Sequence, residues 1–159
     1  MAQKVTGCSV IIVSNLKAIQ KILFPLDLNA DYKAIIPLVQ DFAGKFDASI
    51  LLLYVIPPVS LFPTFYVNVD IDKFEAEARL TARDQMADII KNFFADFRLE
   101  TRIETGDPGD RILEVSKEEK IDMIVMGTHG RQGIERAVFG SVAYKVIQAA
   151  QCMVVTTRP

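Results

Sequence analysis

Short apolar runs rich in β-branched residues alternate along this chain with longer segments whose apolar positions recur at helical spacing. Ile19 to Leu26 reads as a first strand, closed by Pro25 and Asp27, and Asn29 or Asp31 stands where a helix cap is needed. In the helix that follows, Tyr32, Ile35, Ile36, Val39, Phe42, Ala43 and Phe46 fall on one stripe, and Pro37 predicts a kink near the second turn. Ala48 to Ile56 is almost continuously apolar, the pattern of a parallel strand covered on both faces, and Pro57-Pro58 ends it. Asp72 with Glu75 three residues on predicts the capped start of a long helix, whose apolar face runs Phe74, Ala78, Ala82, Met86, Ile89, Phe93, Phe97. Leu99 to Thr105 alternates apolar with polar, as a strand with one wet face near a sheet edge does. Asp107 as cap and Pro108 as first helical residue open a short helix that carries Ile112 and Val115 inward. A strand over Ile121 to Met126, a helix over Ser141 to Ala150 and a strand over Cys152 to Thr156 complete the series.

Five strands separated by helices require crossover connections, which predicts an α/β fold: a doubly wound, open, five-stranded parallel sheet with helices on both faces. Residues 18–159 form one domain on this reading. Residues 1–17 stand apart as an N-terminal extension, in which Val10 to Val13 reads either as an added strand or as a tail.

Composition narrows the function classes. A chain of 159 residues with half its positions apolar and a mean hydropathy of +0.24 has the makings of one folded core. Its net charge of -2 and lack of a basic block exclude nucleic acid as the expected partner. Cys8, Cys152 and the single His129 supply neither a disulfide framework nor a four-ligand zinc site, which fits a reducing cytoplasm. Apolar runs such as Ile50 to Val59 fall well short of the ~20 residues of a membrane helix.

In a doubly wound sheet a ligand sits beyond the carboxyl ends of the strands, where strand order reverses. The richest strand end is the fourth, where Met126-Gly127-Thr128-His129-Gly130-Arg131-Gln132-Gly133 leads on to Gly140-Ser141 and a helix start, with spacing Gly127-x2-Gly130-x9-Gly140-Ser141. Glycines there permit positive φ and close backbone approach, and free N–H groups at a helix start favour an anion, with phosphate the natural candidate. The run is neither a Walker A loop nor a dinucleotide fingerprint. Asp27, at the end of a central strand, is a ligand contact or a loop brace. Ser141 combines capping with phosphate contact. Arg131 and Arg136 are solvated charges or phosphate partners. No carboxylate or nucleophile partner is fixed by the sequence for His129, and Cys152 reads as packing. Pro57 to Val69 is unusually apolar for a connection, so Leu61 to Tyr66 either folds back on the domain or forms a lid or a surface for a protein partner.

These motifs resemble those of the universal stress protein family, in its ATP-binding subclass. The likeness runs from about Lys21 to Thr157: ILFPLD, LLLYVI, GDPGDRILEVSKEEKIDMIVMGTHGRQG and FGSVAYKVIQAAQCMVV, with the family's glycine spacing complete. Tyr54, Gln132 and Met153 depart from its usual residues. The resemblance implies strand order 3-2-1-4-5, a homodimer paired through the C-terminal strand, and bound ATP with Mg²⁺ or Mn²⁺ carried by the phosphates. It also implies roles: Asp27 bonds the adenosine, Val55 frames the adenine, and Gly127, Gly130, Gly140, Ser141 and Val142 hold ribose and phosphates. Pro25, Leu26, Met126, His129, Arg131 and Gly133 complete the candidate set. The expected function is a nucleotide-dependent signalling or stress-response module. Alternatives are a slow ATPase or adenine-nucleotide hydrolase or transferase at the same loop, and a dimeric adaptor with structural nucleotide.

Overall fold

A computed structural model describes residues 8–11, 18–28, 32–58, 70–128 and 140–158. The elements in chain order are β1 (Cys8–Ile11), β2 (Lys21–Leu26), a 3-10 turn (Tyr32–Ala34), α1 (Ile36–Phe46), β3 (Ser49–Ile56), α2 (Ile71–Phe93), β4 (Leu99–Thr105), α3 (Pro108–Glu118), β5 (Met123–Gly127), α4 (Ser141–Ala149) and β6 (Met153–Thr157). They build one sheet in the order β1-β6-β5-β2-β3-β4. The five strands β2 to β6 are mutually parallel and reproduce the expected 3-2-1-4-5 order. β1 adds a sixth, antiparallel strand on the outer side of β6, with Cys8 opposite Thr157 and Ile11 opposite Val154. The N-terminal extension therefore contributes a strand over Cys8–Ile11, which takes in Val10 and Ile11 of the expected stretch; Ile12 and Val13 lie outside the described residues.

Strand alternation sorts the core into two layers. On one face Ile22, Phe24, Ile50, Leu52, Met123, Val125 and Val155 pack with Val39 of α1 and Met86 and Ile89 of α2. On the other, Leu23, Leu51, Leu53, Val55, Ile124, Met126 and Val154 pack with Ile112 and Val115 of α3 and Ala143 and Val146 of α4. The β2-to-β4 half of the chain thus winds across one face and the return through α3 and α4 across the other. The reversal falls between β2 and β5.

Helix starts differ from expectation in two places. Pro37 lies in the first turn of α1, behind the 3-10 turn, where a missing N–H costs no intrahelical bond; it opens the helix instead of kinking it. The cap of α2 is Asp70, whose carboxylate accepts from the Lys73 amide at 3.2 Å, and Asp72 instead supplies negative charge to the first turn. The expected cap of α3 is present: Asp107 accepts from the Asp110 amide at 3.0 Å and Pro108 opens the helix. Phe97, placed by its spacing on the α2 face, lies past the helix end and meets Phe94 edge-on at 5.9 Å. Asn29, Asp31 and the Leu61 to Tyr66 segment lie outside the described residues.

Candidate functional site

The carboxyl ends of β2, β3 and β5 form the floor of the site. β2 pairs with β3 along its whole length, from Lys21 opposite Ser49 to Leu26 opposite Tyr54. Its pairing with β5 is confined to Ile22 opposite Met123 and Leu23 opposite Ile124. Beyond that point the two strands no longer pair, and Pro25 has no N–H to offer a ladder on either side. The β2–β5 pairing thus ends where strand order reverses, the place at which doubly wound sheets have the crevice that takes their ligands.

Several of the candidate residues lie at these strand ends. Asp27 follows Leu26 directly, and Val55 stands one residue past Tyr54, the last β3 partner of β2, at the level of Asp27. Val55 and Met126 belong to the apolar layer under α3 and α4, and Pro25 shares the parity of Leu23 in that layer. Met126 and Gly127 are held by pairing with Thr156 and Thr157 of β6.

Past β5 the backbone is fastened twice. The Thr128 amide donates to the Thr157 carbonyl at 2.9 Å, and the Thr128 carbonyl accepts from the Gly140 amide at 2.6 Å. The two ends of the glycine-containing loop are thereby drawn together, and α4 starts at the carboxyl end of β5. Thr128 is buried, in keeping with a stem residue. His129, Gly130, Arg131 and Gly133 fall within 129–139, outside the described residues.

Gly140 is the N-cap of α4, with φ -69° and ψ 162° and no side-chain cap bond. The first helical bond is from the Tyr144 amide to the Gly140 carbonyl, so the amides of Ser141, Val142 and Ala143 have no acceptor within the helix. Ser141 is exposed at this end. Neither Gly127 nor Gly140 adopts a positive φ; among the described glycines only Gly106 does, at 141°. Gly140 thus makes no use of the positive φ that glycine permits; its backbone is an extended cap.

Lys145 fixes α4 against α3. Its ammonium reaches Asp110 at 2.7 Å and Asp107 at 3.0 Å, and both carboxylates raise its pKa, Asp110 foremost. The Asp107 carboxyl is held below the usual range, first by the Asp110 amide and then by Lys145. Sequence reasoning missed Lys145 because its partners lie more than 30 positions away, and it missed the stem role of Thr128 although that residue sits inside the motif. A second charge cluster, in which Lys21 bonds Glu119 at 2.8 Å and Glu100 at 3.1 Å, braces the amino end of the sheet, away from the crevice. Among the described residues no group of three His, Cys, Asp or Glu is placed to hold a metal ion, and no helix is long and apolar enough to cross a membrane.

Universal stress protein MJ0577 of Methanocaldococcus jannaschii is 27% identical over 143 residues, covering 81% of this chain and 88% of that protein. A solved structure of MJ0577 superposes with a TM-score of 0.77 at 23% identity, over 90% of this chain and 98% of the other. Universal stress protein MJ0531 of the same organism is 41% identical over 61 residues, a match spanning 38% of this chain and about a third, 36%, of that protein's length. A universal stress protein solved in complex with cAMP shares the fold at a TM-score of 0.61 and 19% identity, over 89% of this chain and 98% of the other. The sequence profile of the Universal stress protein family matches residues 18–158, the whole parallel domain, and the chain belongs to that family.

Proposed function

We propose that the chain binds ATP, with Mg²⁺ or Mn²⁺ carried on the phosphates, in the crevice between β2 and β5, and that occupancy serves as a signal in a nucleotide-dependent stress response in the cytoplasm. The reading rests chiefly on the start of α4, where three consecutive amides without helical acceptors are tied through the Gly140–Thr128 bond to the carboxyl end of β5, the strand that neighbours β2 at the reversal of strand order. Hydrogen bonds from N–H to a charged oxygen contribute ~1.5–3 kcal/mol each. Three of them approach the ~8 kcal/mol of a micromolar complex, before base contacts and the cost of association are counted. The glycine spacing supports a triphosphate, and the cAMP bound to a relative supports an adenine nucleotide.

Each candidate residue then has a task its position allows. The amides of Ser141 and Val142 would face phosphate, Asp27 at the end of β2 would accept from the adenosine, and Val55 and Met126 would border the base. Pro25, Leu26, Gly127 and Gly140 would border the ligand through their backbone, and His129, Gly130, Arg131 and Gly133, which lie outside the described residues, keep the phosphate-binding part that the family's glycine spacing implies. The metal would neutralise phosphate charge, and magnesium binds mainly through phosphates and water, so no protein cage is needed. Association of two copies through β6 belongs to this reading as a conditional state, because β1 occupies that edge.

Denaturing freshly purified protein and identifying what is released tests the ligand class, with titration calorimetry against Mg·ATP and cAMP as the second measure. Adenine nucleotide near one equivalent, or a micromolar Kd, is expected. Neither released nucleotide nor measurable heat at millimolar ATP would remove the reading. Sustained phosphate release in the steady state would favour the hydrolase alternative over a switch.

A further inference from the structure

The two outer edges of the parallel sheet are finished differently. β4 carries Glu100, Arg102 and Glu104, and Arg79 of α2 donates to the Ile103 carbonyl and to Thr105 Oγ1, each at 2.9 Å. Charged side chains and covered carbonyls are the usual devices that prevent an edge from recruiting another strand. Among the described residues β6 has none of them. Its sequence is Met-Val-Val-Thr-Thr, without charge or proline, and Val154, Val155 and Thr156 are buried. What covers its outer side is β1, which pairs with residues 154 to 157, four of the five in the strand.

The pairing with β1 is antiparallel. A strand that pairs antiparallel with a copy of itself is two-fold symmetric by construction, so the β6 of a second chain would enter this edge with the same polarity as β1. It would also need the same outward N–H and C=O groups. The two occupants exclude one another. We infer that β1 is an intrachain cap on the β6 edge, and that two copies of this chain pair through β6 only when β1 has left it. The inference goes beyond nucleotide binding and does not depend on it.

The register supplies the test. Cys8 lies opposite Thr157, and directly opposed residues in antiparallel strands are ~4.5–5.5 Å apart at Cα, within the span of a disulfide. In the full chain carrying Thr157→Cys and Cys152→Ser, mild oxidation is expected to consume both thiols in a species of single-chain mass that sediments as a monomer. The opposite perturbation is Ser9→Pro with Val10→Pro. Successive N–H groups along a strand point to opposite sides, so one of these prolines removes a donor aimed at β6. That chain is expected to sediment as a concentration-dependent dimer with unchanged far-UV circular dichroism. Val10→Gly, which keeps every N–H but weakens the strand, is expected to raise the dimer fraction in the same direction and covers the case in which the double-proline chain fails to fold. Failure of the bridge to form, a bridge found only between chains, a bridged form that dimerises as the proline variant does, or folded β1 variants that stay monomeric would each overturn the inference.

Discussion

Replacing Ser141 by proline tests whether backbone amides at the start of α4 hold the ligand. Ser141 is the first helical residue, it is exposed, and its N–H has no helical acceptor. Proline is well tolerated there, and the preceding Gly140 already has the extended φ of -69° and ψ of 162° that a residue before proline prefers. The helix should therefore survive while one donor and one hydroxyl are lost. Ser141→Ala loses the hydroxyl alone, so the ratio of the two variants isolates the amide. At ~1.5–3 kcal/mol for a bond to a charged oxygen, Ser141→Pro should bind Mg·ATP about 10- to 150-fold more weakly than Ser141→Ala. Calorimetric titration reads the ratio directly, and thermal melts check that both variants are folded. Equal affinities in two folded variants would refute the backbone-cradle reasoning, whatever the wild-type affinity.

Asp107→Ala removes the cap of α3 and is expected to cost ~1 kcal/mol, lowering Tm by about 2–4 °C for a chain of this size. Asp107→Asn keeps an acceptor for the Asp110 amide and should recover most of that loss. Because the folded state lowers the Asp107 pKa, the charge-dependent part of its stabilisation is present above the unfolded pKa near ~4 and lost as pH falls through the folded value. The Tm gap between wild type and Asp107→Asn should thus narrow in acid, and a gap that widens would contradict the assignment. Phe94 is buried, 6.4 Å from Phe24 and 5.9 Å from Phe97 between ring centres. Phe94→Ala should cost ~3–5 kcal/mol in urea unfolding; a loss below ~1 kcal/mol would show that the layer under α1 and α2 repacks freely.

Much of the parallel domain was legible in the sequence, for physical reasons that vary by element. β3 and β5 are buried on both faces and read as unbroken apolar runs, and β4 betrayed its edge position by alternation. Asp107-Pro108 carries cap and first-turn signals in adjacent residues. Helix starts were harder where several acids lie close together: Asp70 and Asp72 are both plausible caps, and only the approach of the Lys73 amide decides between them. Pro37 was misread because a 3-10 turn, which leaves no periodic signature in three residues, moved the helix start up to it. β1 could not be settled from its own four residues, since its partner strand lies almost 150 positions away. At the site, the glycine spacing marked the end of β5 and the start of α4, but the stem bonds of Thr128 and the brace from Lys145 depend on partners that local pattern does not specify.

A proline in the innermost strand of a sheet is an unusual choice, and its effect here is permanent. Because β2 and β5 cease to pair above Leu23 and Ile124, a molecule taken up between their carboxyl ends, as proposed, would have no ladder bond of that pair to break. Binding there would carry little reorganisation penalty on the sheet side.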